Sequence, residues 1–238
     1  MIPTPTILLP TDEAERLRTL HYYDILGSLQ EDVFDELAVF AARVFNLPIA
    51  YISLIGEDEA TYKAAHGFPL LPPQPRVSML CSMAVKENQL VVYHDLASAT
   101  PTAADKVALE RALHHQARFY AGAPLRLSDE HSIGALCLVG LQPREFSASE
   151  QQVLERIAGL VSLTIAVRHV CLNHPIFGPD RWQTVRAQVR DEVYALGALM
   201  RYLTTRYGIH VPVSEDILQP VVRRLNDLRN ILENYQYS

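Results

Sequence analysis

Residues 118–141 place the strongest constraint on the fold, because two β-rich runs stand there with only four polar residues between them. The runs read RFYAGAPLRL and SIGALCLVGL, and SDEH joins them, which predicts an antiparallel hairpin. The small residues in the middle of the first run leave room for a packed helix, a close backbone or a ligand. We expect helix packing at Gly122, and both helix packing and ligand space stay open for Ala121 and Ala123. Pro124 donates no hydrogen bond, so we expect it at a bulge, an edge or a gap in pairing.

The rest of residues 12–170 adds further strands and helices around this hairpin. The run IAYISLIGE is apolar at nearly every position, which predicts a strand covered on both faces. Two more strands are predicted at TYKAAHG and LVVYHD. Five helices are also predicted. The first spans 12–23, the second follows a Ser28/Glu31 capping box, the third starts at Cys81 after a Ser78 cap, the fourth lies within AADKVALERALHHQ, and the fifth follows a Ser147/Glu150 capping box. Strands clustered between helices favour an α+β fold with an antiparallel sheet.

The C-terminal part is predicted to be helical throughout. The segment LNHPIFGP has the composition of a linker, and a helix opened by Asp180 follows it and stops at Gly208. A last helix carries apolar residues at spacings of three and four, with Pro220 expected in its first turn because an interior proline disrupts a helix. We therefore predict three parts: residues 1–170 as a domain with flanking helices, 171–179 as a linker, and 180–238 as a helical pair.

Composition limits the function classes. A net charge of −6 argues against a nucleic-acid partner, since such proteins usually carry a basic surface. The first ten residues lack the features of a signal peptide, and no apolar run is long enough to span a bilayer, so no membrane partner is expected. Three widely spaced cysteines form no disulfide framework, which favours reduced thiols in a cytoplasm.

Eight segments in this order resemble the GAF domain family in its common bacterial form. They are RLRTLHYYDIL, FDELAVFAARVFNLPIAYISLIGED, YKAAHG, RVSMLCSMAV, LVVYHDLA, RFYAGAPLRL, IGALCLVG and PREFSASEQQVLERIAGLV, and they cover most of residues 16–168. The resemblance implies a central antiparallel sheet with helices on one face and a small-molecule pocket on the other. It also implies a sensory module that signals through its flanking helices to a protein partner, and a homodimer formed through such helices.

Polar and small residues on the pocket-forming segments are the candidate ligand-binding residues, because a ligand site needs a few such groups in an apolar cavity. They are Tyr51, Ser53, Tyr62, Lys63, Ser78, Cys81, Asp95, Tyr120, Ala121 and Ala123. The sequence does not identify the small-molecule ligand, and it assigns no cofactor, no metal and no catalytic residue. The adjacent His114 and His115 are expected on a helix surface.

Two other functions stay open. A thiol at Cys81, in the first turn of a predicted helix, could serve a redox sensor or a sulfoxide reductase-like enzyme. Relatives often read Cys-Ala-His in this segment, whereas this chain reads Cys81-Ser82-Met83, and the lost histidine weakens that proposal. The third possibility is a ligand-free dimeric scaffold whose pocket is filled by Met79, Leu80 and Met83. Motifs for phosphate-binding loops, dinucleotide-binding turns and serine hydrolases are absent from the sequence.

Overall fold

The computed structural model describes residues 4–28, 31–127, 130–174 and 178–236. Within these residues the helices are α1 (Glu13–Tyr22), α2 (Asp32–Val44), α3 (Cys81–Glu87), α4 (Lys106–His114), α5 (Ala148–Leu172), α6 (Gly178–Tyr207) and α7 (Glu215–Gln236). The strands are β1 (Ile49–Ile55), β2 (Glu59–His66), β3 (Gln74–Pro75), β4 (Val91–Tyr93), β5 (Phe119–Arg126) and β6 (Ser132–Gly140). The α+β prediction is confirmed.

The six strands form one antiparallel sheet in the order β3-β2-β1-β6-β5-β4. The predicted hairpin is β5–β6, with Gly122 opposite Cys137, although Ser128 and Asp129 of its connection lie outside the described residues. On the other side of β5, strand β4 pairs only as far as Gly122. Pro124 therefore lies where β5 has become an edge, which is one of its three predicted positions.

The two faces of the sheet are covered in different ways. On one face α2 and α5 pack on the sheet, and α6 and α7 pack in turn on α2 and α5. These elements share a single apolar core, to which Ala121 and Ala123 belong. On the opposite face α3, α4 and the loops enclose a second cluster that contains Tyr51, Tyr120 and Cys137. Strand β1 is buried along both faces, as its composition predicts.

The C-terminal helices α6 and α7 join the core of the helical face and do not form a core of their own. Trp182 and Leu196 of α6 and Leu225 of α7 are buried in the same cluster as the apolar residues of α2 and α5. Helix α6 begins two residues before the predicted start of the helical pair, and Gly208, at φ +81°, follows its end. The division of the chain into three parts stays a prediction.

Two carboxylates that are mostly or fully buried are among the polar groups that attach this helical pair. Glu31, just before α2, accepts hydrogen bonds from Arg168 Nε of α5 and from Trp182 Nε1 of α6, the latter at 2.7 Å. Glu150 is fully buried in the capping box with Ser147, pairs with Arg144 and accepts the backbone N–H of Val213 at 3.1 Å. The Ser147/Glu150 prediction is thus confirmed, and its carboxylate also holds the α6–α7 connection.

The N-terminal details of three predicted helices are wrong, although α3 begins at Cys81 as predicted. Helix α2 begins at Asp32 after an extended Glu31, so Ser28 lies one turn too early and its hydroxyl donates to the carbonyl of Asp24. Ser78 does not cap α3, because its hydroxyl closes a preceding turn by donating to the carbonyl of Pro75 at 2.8 Å. Pro220 lies in the second turn of α7, not in the first. It has no N–H to donate to the carbonyl of Asp216, which is an exposed residue.

Candidate functional site

A cavity of about 230 Å³ lies on the sheet face opposite α2 and α5. Its floor is the sheet, and its walls are the loop that leads into α3, the segment after β4, and one side of α4. Most of the lining is apolar: Ile49, Phe68, Leu71, Met79, Leu80, Leu96, Ala108, Ala112, Ala117, Val139 and Leu141. We call this space the sheet cavity.

Aromatic rings form the inner wall of the sheet cavity. Tyr51 of β1 and Tyr62 of β2 meet edge to face with ring centroids 5.3 Å apart, and Phe68 lies 5.8 Å and 5.4 Å from them. Tyr120 of β5 completes the wall and is 1% exposed. Edge-to-face pairs of this kind hold their rings in defined orientations, so the wall has a fixed shape.

Beneath this wall two thiols and two phenols share a buried polar cluster. The Tyr120 hydroxyl lies 3.2 Å from Cys137 Sγ, and burial raises the pKa of Tyr51, Tyr120 and Cys137, so these groups are neutral near pH 7. A hydrogen bond from Cys137 lowers the pKa of Cys81, although burial acts against this shift. Both thiols are 0% exposed, so an oxidant in solution cannot reach them in this conformation.

Helix α4 and the residue that follows it supply the charge at the sheet cavity. Arg111 of α4 and His115, just after its end, lie four residues apart, and both line the cavity. Arg111 is half-buried, and its Nη2 donates to Gln74 Oε1 at 2.6 Å. No carboxylate among the described residues lies within 4.0 Å of the Arg111 guanidinium. The cavity therefore has a cationic side without a built-in counter-ion.

Four of the ten predicted ligand-binding residues line the sheet cavity: Tyr51, Tyr62, Ser78 and Tyr120. The other six lie elsewhere. Cys81 and Ser53 are buried beside one another beyond the tyrosine wall. Lys63 points through the opposite face and donates to the carbonyl of Leu26.

The remaining three of these six are Asp95, Ala121 and Ala123. Asp95 sits after β4 in a two-point ion pair with Arg118, whose hydrogen bonds hold the pKa of Asp95 at about 2. Ala121 and Ala123 pack against the helical layer. At Gly122 an added Cβ would lie 2.3 Å from the Tyr120 hydroxyl, so the missing side chain leaves room for that ring. Helix packing at Gly122 stays a prediction.

Arg111 and His115 were missed by the sequence reasoning, although a signal for them exists. Ala108, Arg111, Ala112 and His115 follow the i, i+3, i+4, i+7 spacing of one helix face, and all four line the cavity. A face with two alanines and two basic residues has little apolar contrast, so it does not read as a core-facing stripe. His115 is exposed, as expected of a helix surface, and it also lines the cavity.

A second cavity, of about 250 Å³, lies on the helical side between α2, α6 and the α6–α7 connection. Arg43, Arg201 and His210 line it, and all three are exposed. Charges in contact with solvent are strongly screened and hold an anion weakly. The sheet cavity is therefore the better candidate site. Among the described residues no group of three or more metal-ligating side chains comes together, and no helix is both long and apolar enough to cross a membrane.

Comparison with known proteins identifies related chains. A family model described as a GAF domain matches residues 29–166, more than half of the chain. A cyclic di-GMP phosphodiesterase of Pseudomonas aeruginosa is 31% identical over 160 residues, which are 66% of this chain and 26% of that protein. The chain thus spans about a quarter of the length of this curated relative.

Solved structures with a similar fold have lower identity. The GAF domain of an Acinetobacter phosphoenolpyruvate-protein phosphotransferase is 19% identical with a TM-score of 0.48, covering 68% of this chain and 97% of that one. A type II free methionine-R-sulfoxide reductase from Thermoplasma acidophilum is 17% identical with a TM-score of 0.45, covering 58% and 95%. The family assignment rests on the family model and not on these two structures.

Proposed function

The chain belongs to the GAF domain family, a family of sensory and regulatory modules, and we propose that it is a cytoplasmic, non-enzymatic sensor that binds a small molecule in the sheet cavity. The observation that carries this proposal is the cavity itself, a preformed apolar space with a few convergent polar groups. The three cysteines of the chain are free thiols, which suits a reducing compartment. In this proposal the bound state changes the helical layer, and a protein partner reads that change.

The contacts of the sheet support a route from the cavity to the helices. Tyr120 lines the cavity, while its neighbour Ala121 packs on the other face in the core shared with α5. A ligand that displaces Tyr120 therefore acts on the strand that supports α5. From α5 and α2 the polar contacts of Glu31 and Glu150 lead to the C-terminal pair. A ligand changes the output only if it favours one arrangement of this layer over another.

The alternatives receive less support. A thiol enzyme at Cys81 needs solvent access that a 0% exposed residue lacks, and the Pseudomonas relative aligns over too little of its length for its named activity to be carried over. A scaffold with a filled pocket is disfavoured because Met79 and Leu80 line an open space of about 230 Å³ instead of filling it.

Native mass spectrometry of the full chain, purified without added ligand, tests the proposal. We expect a retained small-molecule mass, and the same spectrum gives the protomer count that the proposed homodimer predicts. The matched variants are Ala112→Leu, which places three more carbons inside the cavity, and Ala198→Leu, which places them on an exposed part of α6.

We expect Ala112→Leu alone to lose the bound mass, because a cavity of this size has little room to spare beside a ligand. Trp182 is the only tryptophan of the chain. It is a buried residue of α6 that donates a hydrogen bond to Glu31, so its fluorescence reports on the packing of the helices. Binding without any change in Trp182 fluorescence or in hydrogen exchange of α5–α7 would contradict the signalling part of the proposal. Equal retention of the mass by both variants would contradict the cavity as the site.

A further inference from the structure

We infer that the ligand of the sheet cavity is a compact aromatic monoanion, a single ring that carries one carboxylate on a short linker, with the ring against the tyrosine wall and the carboxylate at Arg111 and His115. This inference rests on the proposed function and adds the chemical class of the ligand.

The size of the sheet cavity limits the ligand to about one ring. A cavity of about 150 Å³ lined by apolar side chains accommodates benzene. The sheet cavity, at about 230 Å³, therefore has room for a ring and a short substituent. A molecule with two purine rings, such as the substrate named for the Pseudomonas relative, is too large for this space.

The polarity of the lining changes from one end to the other. The deep end is formed by Tyr51 and Tyr120, which are almost fully buried, together with Met79 and Leu80. The outer end carries Leu71 and Leu141, which are 40% and 45% exposed, and the exposed His115. A ligand that enters by its apolar part leaves its polar group at the outer end, where that group keeps contact with water.

The rings of the deep end favour an aromatic body over an aliphatic one. Tyr51, Tyr62 and Phe68 already pack edge to face with one another, and a further ring in the space beside them can extend the same arrangement. The phenol groups of Tyr51 and Tyr120 are held against Cys137 below the wall. The Tyr62 hydroxyl donates to Met79 Sδ at 3.6 Å, so all three phenol groups have partners within the protein.

The charge of the lining selects an anion. Among the described lining residues the two ionisable groups other than tyrosine are basic, and none is acidic. Arg111 has five N–H donors, and the structure gives it one hydrogen-bond partner among the described residues, the neutral side chain of Gln74. A half-buried guanidinium without a counter-ion is costly, and a ligand carboxylate would supply the missing charge through two parallel hydrogen bonds. His115, four residues later and just after the end of α4, offers a second donor to the same group.

Isothermal titration calorimetry with phenylacetate and with its neutral isostere phenylacetamide tests the inference on the full chain. We expect phenylacetate to bind about 10- to 100-fold more tightly, the range for hydrogen bonds to a charged group. Arg111→Gln should remove this preference, while Lys106→Gln, an exposed position on the same helix, should keep it. His115→Gln should weaken phenylacetate binding more than His114→Gln, because only His115 lines the cavity.

The controls separate this inference from the proposed function. Arg111→Lys keeps the charge and should retain part of the preference, which guards against a folding defect in Arg111→Gln. Equal affinity for phenylacetate and phenylacetamide, or an unchanged preference in Arg111→Gln, overturns the anion assignment while the sensor proposal stands. A retained native mass that is neutral or non-aromatic also overturns it. The proposed function is refuted as well if three results coincide: neither phenylacetate nor phenylacetamide binds, native mass spectrometry finds no retained small molecule, and Ala112→Leu gives the same spectrum as the wild type.

Discussion

Replacement of Gly122 by alanine tests the shape of the sheet cavity at its most closely packed point. The backbone of this position is extended, so alanine brings no backbone strain, and the whole effect is steric. Its Cβ would lie 2.3 Å from the Tyr120 hydroxyl, 2.9 Å from Cζ and 3.1 Å from Cε1. The Tyr120 ring must therefore move by about 1 Å or more to restore ordinary contact distances. Since Tyr120 is 1% exposed, the free space that it can enter is the cavity that it lines.

The magnitude follows from two opposing effects. Overpacking of a buried site costs about 1–3 kcal/mol, and the displaced ring also gives up its contact with Cys137. Loss of chain entropy in the unfolded state offsets about 0.4–1 kcal/mol of this cost. We expect a net destabilisation of about 1–2 kcal/mol, or roughly 2–8 °C in Tm for a chain of this size. The ring in the cavity should also weaken ligand binding by about tenfold or more.

Differential scanning calorimetry and the phenylacetate titration provide the two assays. Gly159→Ala is the matched control, because a Cβ there meets nothing within 4 Å on an exposed position of α5, and it should stabilise the chain by about 0.5–1 kcal/mol. Tyr120→Phe removes the atom at 2.3 Å, so the double variant with Gly122→Ala should recover part of the lost stability. A Gly122→Ala protein as stable as the wild type, or a double variant that shows no recovery, would refute the packing argument.

Three further substitutions test polar contacts at the N-terminal ends of helices. Glu13→Gln should cost about 3 kcal/mol at neutral pH in chemical unfolding, because it leaves two buried arginines without their carboxylate partner. Burial alone raises the pKa of Glu13, but the arginine hydrogen bonds outweigh it and lower the pKa. The contribution is therefore complete above the unfolded pKa of about 4.3 and is lost as the pH falls through the folded pKa, so the two proteins should converge in acid. Glu31→Gln should cost about 1–3 kcal/mol and shift Trp182 fluorescence to the red, and an unchanged spectrum would show that this contact does not hold α6. Ser147→Ala should cost about 1 kcal/mol in the same unfolding assay through loss of the capping box with Glu150, and equal stability would count against that box.

The elements of the sheet could be predicted because local patterns specify them. Each main strand is a β-rich apolar run of the right length, and the Ser147/Glu150 box and Gly208 lie within one turn of the helix ends that they specify. The Ser28 box failed although it has the same sequence form, because the helix start is decided by packing as well as by the pattern. The carboxylate of Glu31 contacts Arg168 and Trp182, which are distant in sequence, and does not reach back to Ser28.

The site was predicted less well, and part of the shortfall lay within reach of the sequence. Neighbouring residues of a strand point to opposite faces, so Tyr62 and Lys63, or Tyr120 and Ala121, cannot both face one cavity. The bulge between Ile52 and Ser53 changes the pairing of β1 with β2, and no local pattern announces it. Alternation alone therefore divides each pair, but it does not say which member faces the cavity.

Strand β5 joins the two layers on which the proposed signalling depends. Tyr120 and Gly122 belong to the cavity side, and Ala121 and Ala123 belong to the core under α5, so successive residues of one strand serve both layers. Gly122 gives the Tyr120 ring its place, and the alanines let the α5 side of the sheet pack closely. A ligand that shifts this ring acts on a strand whose far face is closely packed. Packed cores change by discrete rearrangement and do not deform gradually. The small residues of RFYAGAPLRL thus shape the cavity, and in the proposed function they also couple it to the helices.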